Sequence, residues 1–151
     1  MKIAVIVTTY NRPAALALAL DGYLAQKDRD FELIIADDGS TSVTGELIGQ
    51  YQAQGVVAIR HVWQEDKGFR AAAIRNRAIA ETKAEYIIFS DGDCIPLPDF
   101  VGCHRNLAEQ GWFVAGSRIL MSDAFTKSVL QQRIPIYHWS LSRWVAARIK
   151  K

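Results

Sequence analysis

The sequence predicts an α/β fold, a mostly parallel sheet with helices on both faces. Three observations carry that prediction. Four short apolar runs rich in β-branched residues recur along the chain. A helical pattern separates each run from the next. Clusters of acids and turn-forming residues follow the ends of the runs, which assigns them to one rim of such a sheet.

The first run, Ile3–Thr8, is continuously apolar, as a strand covered on both faces must be. Asn11-Arg12-Pro13 then opens a helix, with proline near the first turn and Leu16, Leu20 and Leu24 repeating at helical spacing. A second strand, Phe31–Ala36, runs into Asp37-Asp38-Gly39-Ser40-Thr41-Ser42, a loop of turn formers and helix caps. The next helix buries Leu47, Ile48 and Tyr51 and stops at Gly55. Val56–Val62 is the third strand, Phe69–Thr82 an alanine-rich third helix, and Tyr86–Ser90 the fourth strand. Beyond Pro96 and Pro98 a helix is expected from about Asp99 to Gln110, then a fifth strand over Trp112–Ser117. Residues 1–120 make one domain without internal repeats. Residues 121–151 begin a second region, ending in an amphipathic helix, and the chain is expected to stop part-way through it.

Composition narrows the function classes. With 50% hydrophobic and 23% charged residues the 151-residue chain is an ordinary globular one. A net charge of +2 argues against nucleic acid as a partner. The opening apolar run is too short for a signal peptide, and no run reaches the ~20 residues of a membrane span. Two cysteines, Cys94 and Cys103, show no metal-ligand spacing and read as free thiols in a reducing compartment, hence a cytoplasmic placement.

The stretch Tyr86-Ile-Ile-Phe-Ser-Asp-Gly-Asp-Cys-Ile-Pro96 carries the chemistry. Two carboxylates, Asp91 and Asp93, stand at the mouth of an apolar strand, a costly arrangement unless a cation or ligand offsets their repulsion. Together with Thr8–Arg12 and Asp37–Ser42 they form three polar clusters converging on one rim. Gly-x-Gly-x-x-Gly after the first strand and Gly-x-x-x-x-Gly-Lys-Ser/Thr are both missing, which argues against a dinucleotide oxidoreductase and a P-loop NTPase. An aspartyl-phosphate phosphatase would carry its two acids after strand one. What remains is an acidic pair suited to a hard divalent cation, facing the basic segment Lys67–Arg77 at a helix start. Cation, arginines and a helix N-terminus suit a diphosphate.

In order and spacing, "VIVTTYNRP", "ELIIADDGSTS", "EDKGFRAAAIRNRAI" and "YIIFSDGDCIP" resemble the GT-A-fold glycosyltransferases of family 2. These are inverting enzymes that use nucleotide-diphosphate sugars. The resemblance covers roughly Lys2 to Arg118 and is marked toward bacterial enzymes of surface polysaccharide and lipopolysaccharide synthesis. It implies a nucleotide-sugar-binding domain over 1–120, with 121–151 the start of the acceptor side. Asp91-Gly92-Asp93 is similar to the family's Asp-x-Asp: Asp93 would ligate manganese or magnesium, and Asp91 the metal or the ribose. Asp38 resembles the acid that accepts the uracil N3 hydrogen, with Asp37 its helper. Thr8 and Tyr10 resemble base contacts, Tyr10 by stacking. Arg70 sits where the family keeps a diphosphate-binding basic residue, with Arg75 or Asn76 adding to it. Asn11-Arg12-Pro13 is read as architecture, Arg77 as a surface residue, and His61, His104 and His138 as structural.

The implied partners are a UDP-sugar donor and a glycan or lipid-linked acceptor. The family's general base has no counterpart in this chain; Glu109 and Asp123 are the acids left, and neither is well placed. The alternative is a nucleotide-sugar-binding module without transferase activity. The final stretch, Ile136–Lys151, puts Tyr137, Leu141, Trp144, Val145 and Ile149 on one helical face, with Ser140, Arg143 and Lys150 elsewhere around it. Packing of that face against the protein is preferred over peripheral contact with an anionic membrane at its inner face. Trp139 and Trp144 are expected in an apolar docking surface that would favour self-association.

Overall fold

The computed structural model describes residues 1–149. Strands β1 (Ile3–Thr9), β2 (Phe31–Asp37), β3 (Ala58–Trp63) and β4 (Tyr86–Asp91) form one sheet in the order β3-β2-β1-β4. All three pairings are parallel, and Ile3 of β1 lies beside Phe31 of β2 and Tyr86 of β4. Helices α1 (Pro13–Leu24), α2 (Ser42–Gln52), α3 (Ala71–Ala80) and α4 (Phe100–Leu107) alternate with them. This is the expected α/β architecture.

The unbroken apolar runs have a direct cause. In β1 and β2 successive side chains point to opposite faces, and both faces are covered. Ile3, Val5, Val7, Phe31, Leu33 and Ile35 meet Leu16, Leu20 and Tyr23 of α1, Ile48 of α2 and Val101 of α4. Ala4, Ile6, Ile34 and Ala36 meet Ile74 and Ala78 of α3 on the other side. Alanines on both sides of that second layer let α3 approach the sheet closely. The edge strand β3 instead alternates between exposed and half-buried positions until Val62.

A buried glutamine fixes the segment that follows β4. Gln26 has no exposed surface. Its Nε2 donates to the carbonyls of Gly22 and Leu97, and its Oε1 accepts from the Val101 amide. Side-chain satisfaction of this kind is what makes burying an amide tolerable. Gly22 is required beside it: a Cβ there would come within 2.8 Å of Pro96 Cδ.

The C-terminal part packs on the outer side of α1. Helix α5 (Asp123–Gln132) is capped by Ser122, whose hydroxyl accepts from the Phe125 amide at 3.4 Å. A 3-10 turn (Ile136–His138) and helix α6 (Leu141–Ile149) follow. Leu18, Val129 and Ile136 make a small core, with Phe125, Trp139 and Trp144 against it. Arg133, in a left-handed conformation at φ 47°, donates to Asp21 and to the Tyr51 hydroxyl and ties α5 to α1 and α2.

Two expectations need correction. Residues Trp112–Ser117 form no strand: the stretch from Glu109 to Met121 has no regular structure. A strand exists only through its ladder, and β-propensity alone leaves Trp112 and Phe113 74% and 89% exposed. The tryptophans of the last stretch are not a free docking surface. Trp139 and Trp144 pack on one another at 5.2 Å, so Trp144 is inward while Leu141 and Val145 of the expected apolar face are 80% and 51% exposed. Trp139 also stacks on Phe125 at 5.7 Å, which draws the turn before α6 onto α5. Lys150 and Lys151 lie outside the described residues, as does the side chain of Ile149.

Candidate donor-binding site

The carboxyl ends of β1, β2 and β4 carry the three polar clusters to one rim, around a cavity of about 570 Å³. Thr8, Tyr10, Asp38, Arg75, Asp91 and Asp93 of the expected site line it. So do Thr9, Arg12, Asp66, Phe69 and Arg118.

Backbone closeness explains the glycine between the two acids. The Gly92 amide donates to the Thr8 carbonyl at 2.7 Å, and a Cβ at Gly92 would sit 3.0 Å from that oxygen. The chain leaving β4 is thus folded over the end of β1, with Asp91 and Asp93 on either side of the contact. The loop after β1 is stitched to the loop after β2 in the same way. Asn11 donates its amide to Ser40 Oγ, and its side-chain oxygen accepts from the Thr41 amide. Asn11 takes φ 47°, a conformation asparagine tolerates.

Asp37 and Asp38 have different tasks. Asp37 is fully buried; it accepts from the Ser40 amide at 2.8 Å and lies 3.0 Å from His61 Nε2. Burial pushes its carboxyl up, but the hydrogen bonds from His61 and Ser40 outweigh that and hold it below the usual range. It shapes the turn that presents Asp38, and it gives His61 its structural role. Asp38 is 4% exposed and lines the cavity. One oxygen accepts from Gln64 Nε2 at 2.5 Å and the other from the Arg70 amide at 2.7 Å. Each oxygen keeps a further lone pair for a ligand donor.

Arg70 therefore serves the site through its backbone in this structure. Its guanidinium donates to the Glu65 carbonyl on its own loop. Arg75 does reach the acids: Nε donates to Thr8 Oγ1 at 2.8 Å and Nη2 to Asp91 Oδ1 at 2.9 Å. Asn76 lies on a neighbouring groove with Phe89 and Ser90. Tyr10, half exposed, donates its hydroxyl to Asp66 Oδ2 at 2.8 Å. That bond raises the tyrosine and lowers the aspartate relative to their ordinary values.

The repulsion between Asp91 and Asp93 is offset by arginines. Arg12 Nη1 donates to Asp93 Oδ2 at 2.6 Å, and Arg118 approaches Asp91 Oδ2 at 3.7 Å to join Arg75 there. Arg12, read as architecture from sequence, is thus a site residue. Gln64, Asp66 and Arg118 are likewise not singled out by sequence, and Cys94, read there as a free thiol without metal-ligand spacing, lies beside Asp91 and Asp93. Topology is the missing signal: β1 and β4 are neighbours, so the loop carrying Arg12 must face the loop carrying Asp93, and sequence alone does not order the strands.

The donor set fits a divalent cation. Ligand atoms of Asp91, Asp93 and Cys94 lie within 4.8 Å of one another, two of the three being carboxylate oxygens of the hard type that magnesium and manganese favour. No histidine joins this cluster among the described residues, and His138 lies in the 3-10 turn with its ring beside Tyr137. Glu109 and Asp123 do not line the cavity. Asp123 sits in the first turn of α5, where a negative charge favours the helix.

Known proteins are similar to this chain in sequence and fold. The chain is 40% identical over 108 residues to the hyaluronan synthase of Pasteurella multocida, covering 71% of this chain and 11% of that one. The crystal structure of S. aureus TarS 1–349 in complex with UDP superposes with a TM-score of 0.56 at 27% identity, over 62% of this chain and 28% of that one. The mannosyltransferase PcManGT from Pyrobaculum calidifontis, in complex with GDP-Man and Mn2+, gives 0.58 at 27% identity, over 64% and 29%. The chain thus spans well under half the length of these proteins. Residues 4–150 match the family model for glycosyl transferase family 2, and with its GT-A-like sheet the chain belongs to that family.

Proposed function

We propose that this chain is the donor-binding part of a glycosyltransferase that takes a sugar from a nucleotide-diphosphate sugar, a UDP-sugar by preference, and transfers it with inversion to a hydroxyl acceptor. Surface polysaccharide or lipopolysaccharide synthesis is the proposed setting, by analogy with the hyaluronan synthase relative. One observation carries the reading: Asp38, Asp91 and Asp93 converge with Arg12, Arg75 and Arg118 on one cavity of nucleotide-sugar size.

In this reading Asp38 takes the base edge, Thr8 and Tyr10 flank the base, and Asp37 holds the turn that aims Asp38. Arg70 fixes Asp38 from behind, and Arg75 faces the diphosphate. Asp93, with Asp91, holds a magnesium or manganese ion, which when bound acts as a Lewis acid on the departing diphosphate. The TarS and PcManGT complexes with UDP and with GDP-Man and Mn2+ support a nucleotide donor and a cation. Two free thiols, Cys94 and Cys103, support a reducing, cytoplasmic setting.

Calorimetric titration with UDP, GDP and ADP, with and without Mn2+, tests the assignment. UDP should bind tightest, and Mn2+ should strengthen it. Equal affinity for the three nucleotides sinks the base assignment. Asp93→Ala should abolish the Mn2+ effect with the fold intact, since the residue is an exposed rim acid. A Mn2+ effect that survives in that variant removes Asp93 as a ligand.

A binding module without transfer is the second reading, and the lining acids favour it for this stretch. Asp38, Asp91 and Asp93 serve the donor, and Asp66 is engaged by Tyr10 and the Gly68 amide. None is left over as a general base for an acceptor hydroxyl. Residues 1–151 should therefore bind UDP and Mn2+ yet transfer little sugar. Sustained turnover on a defined acceptor would reverse that reading.

A further inference from the structure

We infer that Arg12 occupies Asp93 in place of a cation and turns to the donor's diphosphate once a cation takes that carboxylate, coupling the two binding events. The inference rests on the donor-site reading above and assigns a positioning residue to it.

Three observations point this way. First, Arg12 Nη1 donates to Asp93 Oδ2 at 2.6 Å, so a cation needing that carboxylate must displace it. Second, the pair is open to solvent, with the two side chains 57% and 45% exposed, so little holds it together and exchange is easy. Third, the root of Arg12 is fixed while its tip is not. Asn11 before it is pinned to Ser40 and Thr41, and Pro13 after it begins α1 with φ locked. The guanidinium makes no helix-capping bond and lines the cavity.

Arg75 is the contrast. It grips Asp91 and Thr8 together and is only 37% exposed, so it is held in one place. Arg12, released from Asp93, presents a planar fork of donors suited to phosphate oxygens. Cation binding alone costs the Arg12–Asp93 pair; cation plus diphosphate gives Arg12 a new anion. The two ligands then favour one another, and by linkage each does so equally.

The test is Mn2+ binding to the full chain, read by the electron paramagnetic resonance of free Mn2+, with and without saturating UDP. Arg12→Gln should bind Mn2+ about 2–5-fold more tightly without UDP, the range expected for loss of an exposed ion pair. The strengthening of Mn2+ binding by UDP should shrink at least about fivefold in that variant, the loss expected for one charge-assisted contact. Arg77→Gln, on the exposed face of α3 and outside the cavity, should change neither quantity. Arg12→Lys, which keeps the charge without the fork, should retain part of the coupling, and it carries the test if Arg12→Gln fails to fold by circular dichroism. Tighter Mn2+ binding by the same factor with and without UDP would overturn the inference, because it would show only a field effect. Unchanged coupling would overturn it as well. If the parent chain binds no Mn2+ even with UDP, the donor-site reading itself falls, an outcome distinct from either.

Discussion

Ile6 and Leu33 have no exposed surface, whereas Trp112 and Phe113, larger and as apolar, are 74% and 89% exposed. The first pair lies in β1 and β2, where a ladder fixes the backbone and helices cover both faces. The second lies in an irregular stretch between α4 and α5. Apolar character is shared; a partner is not. In the sheet the ladder satisfies the backbone and holds it where the helices can cover the side chains, and it is this burial that turns hydrophobicity into stability.

The largest expected effect comes from the centre of the sheet. Leu33→Ala should lower unfolding free energy by about 2–5 kcal/mol, measured by urea denaturation, because the cavity it leaves is walled by fixed strands. A loss under about 1 kcal/mol would mean that the layers can collapse around it and that the contrast is weaker than drawn.

Gly92→Ala comes next, with an expected cost of about 1–3 kcal/mol from crowding against Thr8 and Thr9. It should also weaken UDP binding, since relief of the clash must move Asp91 or Asp93. Full UDP affinity in a destabilised variant would separate the rim from the sheet that carries it.

Acid sharpens the comparison further. Hydrogen bonds from Arg105 hold Asp28 below its ordinary range. Asp37 is held down as well, where hydrogen bonds from His61 and Ser40 outweigh burial. A lowered folded pKa gives stability that is present above the unfolded value, about 3.9, and lost as pH falls through the folded one. Urea midpoints should therefore drop as pH falls below about 4, and Asp28→Asn should flatten that drop. An unchanged slope in Asp28→Asn would remove the Arg105 pair from the account. Trp112→Ala should have the smallest effect, within about 0.5 kcal/mol in the same assay. A larger loss would show that the stretch is packed in solution.

These contrasts also explain what was legible in the sequence. The central strands β1 and β2 could be read because two-sided burial leaves an unbroken apolar run, and the edge strands β3 and β4 from shorter β-branched stretches at the same spacing. The rim acids could be read because they end such a run abruptly. The strand expected at Trp112–Ser117 was misread because β-propensity is indifferent to whether a partner edge exists. Spacing places Trp144 on a helical face, and Trp139 is expected with it in an apolar docking surface. Their actual neighbours, Phe125 and each other, are set by how α5 and the 3-10 turn fold back on α1. Arg12 and Arg118 were missed because their partners Asp93 and Asp91 depend on which loops the strand order brings together.

That strand order also dictates when the site comes into being. β1 pairs with β2, its next strand in the chain, but its other edge waits for β4, which emerges only after α3 has been made. During synthesis the β3-β2-β1 half can assemble first, leaving one edge of β1 open to wrong pairing until the last strand docks. Closing that long-range contact is the slow step expected of a parallel topology. The docking strand brings Asp91 and Asp93 with it, opposite Thr8 and Arg12. Closure of the sheet and assembly of the β1–β4 rim of the candidate site are one event, to which Arg118 is added later in the chain. A ligand bridging β1 and β4 would stabilise the folded state.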